Sequence, residues 1–180
     1  YMAQAGWQVQ DMVDGIGGIM SLAAADGLDL ATTTDIVSNA LTAFGMKAKD
    51  TVEFADVLAV ASSATNTNVS DLGEAFKYIA PVAGAMGYSI QDASIALGLM
   101  SNNAVKGSMA GTSLKTALAN MAAPTDNMAA AMKKYGISLT DSEGNMKSLK
   151  GVMDNLRSSL GGLSETEQTA AASTIFGKEA

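Results

Sequence analysis

Two pairs of acids are the first residues to weigh as chemistry. Glu53 with Asp56, and Glu165 with Glu167, have the form of the paired carboxylates that cleave glycosidic bonds. Each pair falls at a predicted helix N-terminus, where an acid faces the positive end of the helix and capping explains it. The run Asp141-Ser142-Glu143-Gly144-Asn145 offers oxygens and a glycine, as part of a calcium loop would. It lacks the alternating acids and the distal Glu of an EF-hand, so it is expected to be a solvated turn. The chain has no Cys and no His. Disulfides, most zinc sites, Ser-His and Cys-His nucleophiles and histidine pH switches therefore drop out. The expectation is no enzyme, no cofactor and no metal.

Two further patterns concern packing. Gly107-x-x-x-Gly111 has the form of a helix-contact motif. It fits a seam between copies of the chain, or else a helix crossing within the chain or simply a loop glycine followed by a helical one, and the seam is the disfavoured reading. The methionines Met86, Met100, Met109, Met121, Met128, Met132, Met146 and Met153 recur at helical spacing. They could line an adaptable groove, but filling gaps in an Ala-rich core is the expected role.

Composition sets the frame for these residues. Hydrophobic residues make up 48% of the 180, yet aromatics only 5%, and 12 of the residues are Met. The chain is rich in helix formers and poor in the β-branched and aromatic residues that favour strands. The net charge is −7, with an isoelectric point near 4.4. Five acids (Asp11, Asp14, Asp26, Asp29, Asp35) precede Lys47, the first base, and Arg157 is the lone arginine. A nucleic-acid partner needs a basic face and is not expected. The most apolar run, Gly15 to Ala25, is short of the roughly 20 residues of a spanning helix, so no membrane contact is expected. The chain opens on Tyr1 and not Met, which reads as a piece of a longer protein without a signal peptide.

Caps and stops divide the chain. Thr32 with Asp35, Asp50 with Glu53, Asn68 with Asp71, Ser89 with Asp92, and Ser164 with Glu167 each place a cap residue three before an acid. Phe44-Gly45-Met46, Met86-Gly87-Tyr88 and Tyr135-Gly136-Ile137 share an apolar–Gly–apolar stop, in which Gly turns left-handed and the next residue folds back. Helices are predicted over 2–25, 32–44, 51–65, 69–86, 90–104, 108–122, 125–135, 148–161 and 165–176. Pro81 should kink or break the fourth, and Pro124 suits the start of the seventh. Residues 137–146 alone look strand-like and predict a small β-hairpin. Residues 52–61, apolar on nearly every face, predict a central helix, and 148–160 a peripheral one. The fold class is thus all-α: a compact domain of eight or nine short helices with one hairpin. Residues 1–25 are set apart as an N-terminal helical segment, with a separate arm as one option, before a core domain over 26–180.

The phrases from Phe76 to Pro124 resemble the core region of phage tail tape-measure proteins of the TP901 type. A helix carries Tyr78-Ile79-Ala80-Pro81-Val82-Ala83, Gly87 follows, and Lys106-Gly107-Ser108-Met109-Ala110-Gly111-Thr112-Ser113-Leu114 opens a later helix. The Phe44-Gly45 stop, Lys134-Tyr135-Gly136-Ile137 and the terminal Ile175-Phe176-Gly177-Lys178-Glu179-Ala180 extend the resemblance over residues 23–180. It implies a virion component, in the tail lumen or at its tip, made in the bacterial cytoplasm and acting in tail assembly and tail-length determination. It implies tail-tube, tail-tip and tail-chaperone proteins as partners, with self-association a further option. The alternative is a helical module that recruits a chaperone or a host-envelope component. The residues carrying the resemblance (Phe44, Gly45, Tyr78, Pro81, Gly87, Lys106, Gly107, Ala110, Gly111, Thr112, Leu114, Phe176, Gly177) are expected to pack, not to bind a ligand.

The charge makes a direct prediction. DNA should not bind at physiological salt, because steering is repulsive at net charge −7. A micromolar affinity in a fluorescence-anisotropy titration would contradict it.

Overall fold

The computed structural model describes residues 2, 3 and 6–177. Its helices are α1 (Val9–Asp26), α2 (Leu30–Ala43), α3 (Thr51–Ala64), α4 (Val69–Ala85), α5 (Ile90–Asn102), α6 (Gly107–Ala122), α7 (Asp126–Tyr135), α8 (Leu149–Leu160) and α9 (Glu165–Phe176). A 3-10 turn, Ala48–Asp50, leads into α3. The chain forms two compact units, residues 1–111 and 112–180, with the boundary inside α6.

In the first unit each helix packs chiefly on the helix two places along the chain. α1 lies on α3 and α3 on α5, while α2 lies on α4. The first turn of α6 continues the second row, with Gly111 seated on the backbone of Ala75 in α4. The unit is therefore two rows of stacked helix hairpins, in which each element touches its neighbours, as in helical repeat proteins. α3 and α5 run parallel: Gln91 donates to Glu53 at one end (2.8 Å), and the Asn66 backbone N–H donates to Asn102 at the other (2.8 Å). The core is made of small and branched side chains around Phe54 and Phe76, both fully buried. Phe44 meets Phe76 edge-on, with ring centroids 5.8 Å apart.

In the second unit α7 packs on α9. The Asn120 amide donates to the Phe176 carbonyl at 2.8 Å, tying α6 to the end of α9. Asn155 of α8 clasps the segment after α7, donating to the Gly136 carbonyl and accepting from the Ser138 N–H, each at 3.1 Å. α8 buries Leu149 and Val152 and leaves Lys150, Asp154 and Arg157 exposed.

The expected β-hairpin is not formed. Among the described residues there is no strand; 137–146 contributes one isolated antiparallel bridge, Thr140 to Met146. Two backbone bonds cross the segment, from Asp141 N–H to the Asn145 carbonyl (2.9 Å) and from Lys147 N–H to the Leu139 carbonyl (2.8 Å), but side chains take other backbone groups beside them. Asp141 accepts from the Glu143 and Asn145 N–H groups, and the Ser138 hydroxyl accepts from the Thr140 N–H. Lys147 caps the Ser138 carbonyl. A two-stranded ribbon is marginal alone, and here Ile137 and Leu139 are buried as single anchors.

Other boundaries shift for local reasons. α1 begins at Val9, not at residue 2, because Gly6 turns left-handed (φ 85°) and Asp11 caps the Gln8 N–H. Asp29, not Thr32, caps α2, accepting from the Thr32 N–H at 2.9 Å. The Thr32 hydroxyl also donates to Asp29, at 2.6 Å, and this bond first, with the N–H bond second, holds its carboxyl below the usual range. The Asp50 carboxylate caps Lys47 ahead of the 3-10 turn instead of α3. Thr125 caps α7, so Pro124 stands just outside it. α4 runs on through Pro81. Asn68, Ser89 and Ser164 cap as expected. Met121 and Met132 are buried, but Met86, Met100, Met128 and Met153 are half-exposed and Met109 and Met146 exposed. The core is filled by Ala, Leu and Ile instead.

The three glycine stops each close with the expected pair of backbone bonds: Met46 to Leu41, Tyr88 to Ala83 and Ile137 to Met132 carry the longer ones, at 2.8, 2.9 and 2.9 Å. The same motif recurs after α5, where Val105 N–H reaches the Met100 carbonyl at 3.1 Å. There the left-handed position is held by Ala104 (φ 65°). An alanine in that conformation costs about 1–2 kcal/mol, while glycine adopts it freely. Ala104→Gly should therefore stabilise the first unit by about 0.5–1 kcal/mol after the greater unfolded-state entropy of glycine is set against it. Urea denaturation monitored by circular dichroism reads the shift; a lower midpoint would contradict the strain.

Candidate functional site

The residues of the tape-measure phrases separate into distinct places. Phe44, Gly45 and Pro81 come together where α4 crosses the end of α2, around an open groove of about 690 Å³ that Asn39 and Gly84 also line. Gly84 sits directly on the Ala43 carbonyl. Pro81 donates no hydrogen bond and lies exposed. Tyr78 is on α4 but turned to solvent, and Gly87 forms the left-handed turn into α5. Lys106 donates to the Asn66 side chain at 3.0 Å, tying the start of α6 to the α3–α4 turn. Gly107 follows with φ 55°, 3.8 Å (measured from an added β-carbon) from the Asp71 carboxylate. Ala110 and Leu114 are buried and Thr112 is exposed. Phe176 and Gly177 belong to the second unit, where the Phe176 carbonyl takes the Asn120 bond. Lys178, Glu179 and Ala180 lie outside the described residues.

Carboxylates weighed as catalytic are in structural use or stand alone. Glu53 accepts from Gln91. Glu167 accepts from the Ser164 hydroxyl and N–H, and these bonds hold its carboxyl below the usual range. Asp141 is lowered in the same way, first by the Asn145 N–H. Tyr88 is the one described group pushed up, by burial first and by Asp92 second. Among the described residues no group of three or more acids could hold a metal ion. Among those residues, too, no helix is long and apolar enough to cross a membrane.

One feature escaped the sequence. Between α3 and α5 lies a groove of about 390 Å³, walled by Val57, Val60, Ala61, Ala64, Ile95 and Leu99. Val60 is 65% exposed, and Ile95 and Leu99 are each 46% exposed. The all-round apolarity of 52–61 signalled burial; α3 is central, touching α1, α2, α4 and α5, yet its Val52 and Val60 face reaches solvent. Asp56 and Gln91 stand on the groove's margin, and among the described residues no Lys or Arg lines it.

Comparison with known proteins bears on this arrangement. The profile of the phage-related minor tail protein family matches residues 1–177. The chain is 38% identical over 177 residues to the tape measure protein of Pneumococcus phage Dp-1, covering 98% of this chain and 15% of that protein. It is 26% identical over 181 residues to the probable tape measure protein of Escherichia phage P2, covering 99% of this chain and 22% of that protein. No solved structure matches. The chain thus spans less than a quarter of the length of either relative. The resemblance seen from Phe76 to Pro124 holds, and it reaches through the first residues as well. A profile match over nearly the whole chain, with two tape-measure relatives aligned along it, establishes that the chain belongs to the phage-related minor tail protein family.

Proposed function

We propose that this region is a folded structural domain of a tail tape-measure protein, acting in tail assembly and tail-length determination. The relatives' names support the family role. The observation that carries the local role is the shortness of the helices. As one continuous helix, 180 residues would extend about 270 Å. The longest helix here has 18 residues, or about 27 Å. Caps and glycine stops fold the chain back at every turn. Such a region works as a docking or tube-tip module joined to a ruler, and not as the ruler's measured length. Tail-tube, tail-tip and tail-chaperone proteins are the partners this role calls for, in the tail lumen or at its tip, with assembly in the host cytoplasm. The role is structural and needs no catalytic group.

The test is deletion of this region from the tail gene of a phage that carries it, with tails measured by electron microscopy. A docking module predicts loss of tails, or aberrant tails of unset length. Intact tails shortened by about 270 Å would assign the ruler role to this segment instead. Intact tails of normal length would remove it from assembly.

A further inference from the structure

We infer that the groove between α3 and α5 is a docking site for a basic amphipathic helix of a partner protein. The inference stands on geometry and charge and does not depend on the tail role. The groove runs along two parallel helices, and Val57, Val60, Ile95 and Leu99 form an apolar trough between them. Its lining runs from Asp56 to Thr65 on one side and from Gln91 to Leu99 on the other, so the trough offers about 14 Å, or between two and three helical turns. An amphipathic helix fills such a trough with anchors at i, i+3 or i+4, and i+7. Exposed apolar side chains gathered in one trough mark an interaction site more strongly than scattered ones do.

Charge selects the occupant. The row α1, α3 and α5 carries Asp11, Asp14, Asp26, Glu53, Asp56 and Asp92 and no Lys or Arg. In sequence, Lys47 and Lys49 precede α3, and Lys106, bonded to Asn66, follows α5. Asp56 stands on the groove itself, beside Gln91, which Glu53 holds. A second copy of this face would set like charges against one another, and an anionic lipid surface or nucleic acid would be repelled. A helix with an apolar stripe and Lys or Arg on its flanks meets both requirements.

The test uses the 180-residue chain and a fluorescein-labelled 14-residue helical peptide with Leu at the three anchor positions and Lys on the flanks. Its twin carries Glu in place of each Lys. The basic peptide should bind at least about tenfold more tightly than the acidic one, a difference that narrows as salt is raised. Val60→Ser with Leu99→Ser should weaken binding by about tenfold while leaving the melting curve in place, since both side chains are exposed. Asp56→Asn should narrow the gap between the twins. Equal affinity of the twins, or binding untouched by the Val60 and Leu99 changes, would overturn the assignment. So would a dimer in sedimentation that the same changes dissolve, or capture by vesicles of anionic lipid.

Discussion

At the crossing of α2 and α4, Gly84 lies so close to the Ala43 carbonyl that any β-carbon would overlap it. The same constraint recurs along the first unit. A β-carbon on Gly18 of α1 would fall 2.7 Å from the Thr51 backbone at the start of α3, and one on Gly98 of α5 would fall 2.8 Å from the Thr65 side chain that ends α3. Gly73 of α4 makes room for Ile36 of α2, and Gly111 of α6 rests on Ala75 of α4. In the first unit, every stacking contact between a helix and the helix two places on thus has a glycine in it. Glycine in a helix costs about 0.5–1 kcal/mol in propensity, so its use here marks a packing requirement. Backbones brought this near gain dispersion and weak Cα–H···O contacts that larger side chains would forbid. A chain with few aromatics can build a core this way, by closeness instead of bulk.

Much of the fold was legible because it is written locally. Ser89 with Asp92 and Ser164 with Glu167 declared two helix starts, and the glycines at 45, 87 and 136 declared three ends. Those signals act within a few residues and survive any tertiary arrangement. The all-round apolarity of 52–61 was different. It located a central helix, but periodicity could not say that Val52 and Val60 would face solvent, because that depends on where α5 stops covering α3. The Gly107-x-x-x-Gly111 phrase had two packing explanations in sequence; the seat of Gly111 on Ala75 places one of its contacts within the chain. The hairpin failed because side-chain acceptors from Asp141 and Ser138 compete with a ladder, as short polar residues commonly do. Ala104 in a glycine's conformation could not be foreseen, since its sequence, Asn103-Ala104-Val105, lacks the expected residue.

For function, the folded state matters more than any single side chain. Gly111 rests on Ala75 and Phe44 meets Phe76, while the apolar groove lies elsewhere, between α3 and α5. Packing keeps the rows together and leaves a separate acidic, apolar trough free to meet a partner.

The constraint at the glycines is tested most directly by a pair of substitutions compared in one thermal or urea melt. Gly84→Ala should destabilise the chain by about 1–3 kcal/mol, because its methyl meets a backbone carbonyl that cannot yield cheaply. Gly17→Ala, on the open side of α1, should stabilise it by about 0.5–1 kcal/mol through helix propensity alone. If both substitutions raised the midpoint, α2 and α4 would not be held in glycine contact, and the stacked-hairpin packing described for the first unit would be contradicted.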